Sequence, residues 1–342
     1  PADRVTFDAA RPIERGSVRS LAPALILTTA LVGSLAACTT PGVAQSCTPL
    51  VPAGEPASYV QATGAIGTPP EVTFPTPLRA ESAVQAVIES GDGEGAVAGP
   101  GQVVDFQVSL FNGADGELIT QTSYDPDAAP VRRTAGADTD ILASVVQCAE
   151  VGSRIAATGT IADVFGEGQL DPGLGLADDD AIVMVIDVEA AYLGKATGIP
   201  QLGSEGVPAV VTTPEGVPGI TIPNEEPPSD LIVHTLVLGQ GAEVAEGDAV
   251  VLHYTGVLWN TERVFDSSWE REVPSTFTAA SFEDDPTGVV PGLAEGLIGQ
   301  TVGSQVIVVI PPELGYPAGQ APASVPEGST MVFVVDILGL EG

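Results

Sequence analysis

The chain has 342 residues, room for two domains of ordinary size, with 40 glycines, 30 prolines and only 16% charged residues. Its net charge is -34, and Lys195 is its one lysine. So few cations leave no basic patch for phosphate, which excludes nucleic acid as a partner, and the acidity suits solubility outside the cell.

At the N-terminal end, Arg11, Arg15 and Arg19 precede the apolar run from Leu21 to Ala37. The run is short and is interrupted by Pro23 and Gly33, so it reads as an export signal rather than a membrane span. Leu35-Ala36-Ala37-Cys38 resembles the lipobox of bacterial lipoproteins. That resemblance implies cleavage before Cys38 and a diacylglyceryl group on its sulfur. Residues 1–37 are expected to be a signal peptide, Cys38 the lipidation site, and the outer face of the cytoplasmic membrane the location, held by a lipid anchor. Residues 38–68 read as a tether. Cys47 and Cys148 remain, and an exported chain sits where disulfides persist, although their spacing does not settle whether they meet. The two histidines, His234 and His253, have no metal-ligand spacing, so no metal is expected.

An internal repeat organises the rest. Pro70–Pro75 echoes Pro218–Pro223, and Gly99–Val104 echoes Glu246–Val251. Val151-Gly152-Ser153 echoes Val302-Gly303-Ser304, Phe165 stands where the second copy has Tyr316, and Val183–Asp187 echoes Val332–Asp336. The offsets stay between 147 and 151. The expected organisation is a first copy over 69–193, a Gly/Pro-rich linker over 194–226 and a second copy over 227–342.

In the second copy, Leu231–Leu238, Ala249–Leu258, Gln305–Ile310 and Met331–Leu338 are β-rich runs separated by turn residues. Gly292–Leu297 is the short helix candidate, with Pro291 where a first helical turn accepts it. Strands with one short helix suggest an antiparallel sheet wrapped on a helix, an α+β class.

The second copy also carries Val251–Gly256, Val264–Ser268, Gly288–Leu297, Ile310–Tyr316 and Val325–Phe333 in that order. These motifs closely resemble the FKBP-type peptidyl-prolyl cis/trans isomerase family. The resemblance implies two FKBP-like domains, each a curled antiparallel β-sheet around a short α-helix, the first degenerate. It implies catalytic roles for Tyr254, Phe265, Asp266, Tyr316 and Phe333, and substrate-binding roles for Arg271, Phe277, Val289, Val290, Leu293 and Val325. Two positions depart from the family pattern: the floor residue is Leu293 where Trp is usual, and Ser275 replaces a wall aromatic. Isomerisation breaks no bond, so no cofactor is expected. The implied partners are proline-containing polypeptides, with macrolide inhibitors as further ligands, and a monomer is expected. His253, on the opposite strand face from Tyr254, reads as structural.

By the repeat offsets, the first copy has Gln107 near the Tyr254 position, Thr120 and Gln121 at Phe265 and Asp266, and Met184 at Phe333. That copy is expected not to catalyse. The function implied is assisted folding of exported proteins, with a client-binding chaperone lipoprotein as the alternative.

Overall fold

The computed structural model describes residues 47–341, apart from 93–95, 126–127, 137–139, 170–174 and 205. The expected signal peptide and lipidation at Cys38 lie outside the described residues. The first half contains α1 (Glu55–Ser58), β1 (Gln61–Thr63), β2 (Glu71–Thr73), β3 (Val84–Glu89), β4 (Val103–Asn112), β5 (Leu118–Gln121), β6 (Val131–Thr134), α2 (Ile141–Val146), β7 (Arg154–Thr160), α3 (Ile161–Phe165) and β8 (Ala181–Tyr192). The second half contains β9 (Ile199–Pro200), β10 (Ala209–Thr212), β11 (Pro218–Thr221), β12 (Ile232–Leu238), β13 (Ala249–Leu258), β14 (Val264–Ser267), β15 (Ser275–Ser281), β16 (Gly288–Val289), α4 (Pro291–Leu297), β17 (Gln305–Ile310) and β18 (Met331–Glu341).

The two halves share one strand order. The first sheet runs β3-β7-β8-β4-β5, with β6 also on β4. The second runs β12-β17-β18-β13-β15, with β14 also on β13, and β9 and β16 extend its two ends. Even the irregularities are duplicated. Register shifts between Val87 and Glu89, Asp105 and Phe106, and Leu110 and Phe111 in the first sheet. It shifts between Thr235 and Val237, Val251 and Leu252, and Gly256 and Val257 in the second. A bulge inserts one unpaired residue and re-aims its neighbours, so its position is a built feature of a strand.

Each central strand places alternate residues on the core under its helix. On β4 these are Val104, Phe106, Val108 and Leu110; on β13 they are Val250, Leu252 and Tyr254. The helices have local causes. Asp140 caps α2 by accepting from the amides of Leu142 (2.9 Å) and Ala143 (3.4 Å). Thr160 and Asp163 form a capping box at α3. Pro291 opens α4, and Gly299, at φ 81°, follows its end. Helix α4 lies directly on β17: a Cβ on Gly292 would sit 2.6 Å from Ile310, and one on Gly296 would sit 2.6 Å from Val308.

A buried aspartate recurs at matching sites on the last strands. In the first copy the Arg154 guanidinium donates to both oxygens of Asp187 at 2.6 Å, with both side chains fully buried. In the second, Gln305 donates to Asp336 at 2.7 Å and the Ala196 amide donates at 2.8 Å.

Two segments differ from the sequence expectation. The stretch expected as a tether carries α1 and β1 in its described part, and β1 pairs with β2. Cys47 is disulfide-bonded to Cys148, which ties this stretch to the end of α2. The stretch expected as a linker forms the hairpin β10-β11 and adds β9 to the edge of β12. Its apolar residues are spaced too widely to show a period, yet Val210, Ile220 and Ile222 pack on Trp259 and Val309.

Candidate functional site

Strand pairing brings the aromatic candidates together. Gly256 on β13 lies opposite Asp266 on one side and Phe333 on the other. The next pair is Val257 with Val264, so Phe265 is the extra residue of a bulge. Its ring covers Gly256, where a Cβ would stand 2.5 Å from the ring. Only glycine at 256 leaves room for Phe265 to meet Phe333 edge-on, with ring centroids 5.4 Å apart. The ring of Tyr254, two residues earlier on the same face, lies 6.1 Å from Phe333 and 5.2 Å from Phe277.

Tyr254, Val290, Leu293, Val325 and Phe333 are buried in one apolar cluster, and Phe265, Phe277, Val289 and Tyr316 pack against it half-buried. Two of the expected site residues, Asp266 and Arg271, are charged. Tyr254 donates its hydroxyl to Asp266 in a very short hydrogen bond, and Arg271 forms an ion pair with the same carboxylate. A second nitrogen of Arg271 donates to the Tyr254 hydroxyl at 3.0 Å, and the guanidinium lies 5.7 Å over the Tyr254 ring. Ser275 stands at the edge of this network, 3.5 Å from Arg271. Its hydroxyl is thus turned to the polar side of the site, where the family pattern has an aromatic wall.

Burial raises the Asp266 carboxyl, but the Tyr254 and Arg271 hydrogen bonds outweigh it and the net shift is downward. Burial, followed by the Asp266 hydrogen bond, pushes Tyr254 up to about 12. Burial, then the Asp266 charge, also raises Tyr316. At neutral pH the site therefore holds one carboxylate and two protonated phenols, both donors.

His253 points away from the cluster. It stacks on Trp269 at 3.9 Å between centroids and shares a 2.8 Å hydrogen bond with the Ser268 hydroxyl. Ser268 also accepts from the Tyr254 amide at 2.8 Å. This arrangement fixes the strand behind Tyr254 and leaves the imidazole without access to a substrate.

The first copy is built differently at the matching places. Val108 pairs with Ile186 as Tyr254 pairs with Val335, so Val108, not Gln107, takes the Tyr254 position. Thr120 pairs with Leu110 as Asp266 pairs with Gly256, so Ile119 takes the Phe265 position and Thr120 the Asp266 position. From Val103 with Ala249 through Thr120 with Asp266 the two copies match at one constant offset, and their bulges fall at the same places, so each of these expected matches stood one residue away. Leu110 replaces Gly256 and is buried in the core. A side chain thus stands at 110 where the second copy has none. The role of Gly256 was missed from sequence; its signal was a glycine inside a strand pattern, which marks close approach.

A groove of about 900 Å³ lies elsewhere, lined by Tyr192, Leu193, Ile199, Val302 and Leu338 among others. It contains none of the expected site residues and no carboxylate paired to an aromatic hydroxyl.

Comparisons with known proteins show the family. The model of the family described as FKBP-type peptidyl-prolyl cis-trans isomerase matches residues 241–338. A probable FK506-binding protein of Corynebacterium glutamicum is 37% identical over 123 residues, 35% of this chain and 96% of the relative. An FK506-binding protein of Streptomyces anulatus is 32% identical over 124 residues, 36% of this chain and 96% of the relative. The crystal structure of FkpA from Escherichia coli aligns at 30% identity with a TM-score of 0.29, covering 40% of this chain and 53% of that one, about half its length. The chain belongs to the FKBP-type peptidyl-prolyl cis-trans isomerase family, an enzyme class whose family match lies in its second copy.

Proposed function

We propose that the second copy binds X-Pro segments of exported polypeptides on the cluster of Phe265, Leu293, Phe333 and Val290 and lowers the barrier to rotation of the prolyl bond. That barrier is about 18–20 kcal/mol in water, because planarity is held by charge separation between amide oxygen and nitrogen. Twisting removes the separation, so the transition state is less polar than the planar amide. An apolar, water-poor surface stabilises it relative to the ground state. No nucleophile, metal or proton transfer is needed. The Tyr316 hydroxyl and the Val290 amide hold the substrate backbone. Asp266, kept ionised by Tyr254 and Arg271, faces the twisting carbonyl.

The observation that carries this reading is the Phe265–Phe333–Tyr254 cluster joined to the Tyr254–Asp266–Arg271 network in one copy. The first copy acts as a non-catalytic partner: Leu110 and Val108 stand where Gly256 and Tyr254 stand, and Thr120 replaces the carboxylate. Export and a lipid anchor at Cys38 are supported by Arg11, Arg15 and Arg19, the apolar run and the Leu35–Cys38 motif. Folding of exported proteins at the membrane surface follows from combining the two. Macrolides of the FK506 type are proposed as competing ligands, as two relatives carry FK506 in their names. Ser275 and Leu293 favour a second reading, a client-binding module with slow turnover.

The test is the cis/trans relaxation of a short X-Pro peptide with the full chain. Acceleration blocked by FK506 supports the proposal. A folded chain that binds FK506 without accelerating relaxation favours the client-binding reading.

A further inference from the structure

We propose that Arg132, in the first copy, is a positioning residue for the prolyl site of the second copy. The inference rests on the isomerase reading above. Arg132 sits on β6 and grips Asp105 of its own copy through two hydrogen bonds, Nε to Oδ1 at 2.7 Å and Nη2 to Oδ2 at 2.6 Å. The same guanidinium reaches across to the other copy. Its Nη1 donates to the Thr276 hydroxyl at 2.8 Å and its Nη2 donates to Glu341 at 2.6 Å. Thr276 in turn donates to Glu341 at 2.6 Å, closing a ring of three side chains. The Arg132 side chain is 13% exposed, and its Cζ lies 5.4 Å over the Tyr192 ring.

Thr276 stands between two residues of the site wall. Ser275 touches Arg271, the partner of Asp266, and Phe277 packs on the Tyr254 ring. On a strand, the side chains flanking Thr276 point to the face opposite its own. Holding Thr276 from outside therefore fixes how far Phe277 leans over Tyr254. The surrounding surface is packed as well: Val103 and Tyr192 of the first copy form one buried cluster with Val251 and Leu338 of the second. Gly339 is needed there, since a Cβ would meet Tyr192 at 2.4 Å. A rigid planar fork of five donors suits this position, where the compact ammonium of lysine could not pair Asp105 through two parallel bonds while reaching Thr276 and Glu341. The degenerate copy thus has a defined task, bracing strand β15, which carries Phe277.

The experiment compares the full-length wild type with Thr276→Val, Thr276→Ser, Arg132→Met and the Arg132→Met/Thr276→Val double variant. Thr276→Val keeps the Arg132–Asp105 pair, so it reads the brace even if Arg132→Met is poorly folded. We measure kcat and KM for an X-Pro peptide, and hydrogen exchange of the amides of 275–281. The expected result is a KM raised about five-fold in Thr276→Val, which loses the hydrogen bonds to both Arg132 and Glu341, with kcat little changed. Exchange of 275–281 quickens, Thr276→Ser behaves as wild type, and the double variant is no worse than Arg132→Met. An active wild type whose Thr276→Val variant keeps its KM, or whose Thr276→Ser variant is equally impaired, overturns the positioning role alone. An inactive wild type overturns the isomerase reading and the positioning role with it.

Discussion

The Tyr254 hydroxyl donates a hydrogen bond to the Asp266 carboxylate, and Arg271 contacts both. The ion pair by itself is half-exposed, with 48% and 42% of the two side chains accessible, so it adds little to stability. Its value lies in orientation. Tyr254→Phe should therefore leave the thermal midpoint nearly unchanged and lower kcat/KM about ten-fold, the scale of one lost hydrogen bond to a charged group. Steady-state isomerisation and a melting curve check it together, and an unchanged kcat/KM would remove the network from the mechanism.

Gly256 gives a sharper steric prediction. A methyl group there would meet the Phe265 ring at 2.5 Å, so Gly256→Ala must push that ring off the cluster. Loss of activity with retention of the fold is expected, because the first copy tolerates Leu110 at the same place. A structure of the variant with Phe265 still against Phe333 would contradict this account of the site.

Two buried titrating groups of the second copy oppose each other in pH dependence. Burial pushes the Asp336 carboxyl up to about 6, against about 3.9 in the unfolded chain. The folded state keeps that proton longer, so its contribution is complete below about 3.9 and is lost as pH rises through about 6. Burial, and then the Arg271 charge, hold His253 down at about 4, against about 6.5 unfolded. Its contribution is present above about 6.5 and is lost as pH falls through about 4. Denaturant melts of Asp336→Asn should gain on wild type by on the order of 3 kcal/mol between about pH 4 and 7, and His253→Gln should lose ground over the same range. Parallel pH profiles for wild type and either variant would contradict the corresponding burial.

In the first copy, Arg154→Met would strand the fully buried Asp187 carboxylate. The expected cost is about 3–5 kcal/mol, because the lost partner leaves a charge without water or counterion. Arg154→Met with Asp187→Leu should recover much of it. Equal destabilisation in the single and double variants would show that the pair is not the cause.

The sequence made the duplication visible because it repeats in order at a nearly constant spacing. It placed α4 well, since Pro291 and the glycines around it are local signals. Long-range pairings were not legible. Arg132 meets Thr276 and Glu341 only after both sheets have formed, and nothing near Arg132 in the chain signals those partners. Helix α2 escaped notice because Ile141, Val145 and Val146 are β-branched, and its formation depends on the Asp140 cap and on burial. The one-residue slips at Gln107 and Thr120 arise where the two copies share too little sequence to set a register, which only the strand pairing fixes.

The central claim is that catalysis resides on the cluster of the second copy. Its most direct test is peptide isomerisation by the full chain carrying Phe265→Ala, set beside the full chain carrying Met184→Ala at the position matching Phe333. The account predicts a loss of kcat/KM of about ten-fold or more in Phe265→Ala, since an aromatic wall of the apolar site is removed. It predicts turnover like wild type in a folded Met184→Ala chain. Activity that survives Phe265→Ala and disappears with Met184→Ala would place the site in the first copy and contradict the account.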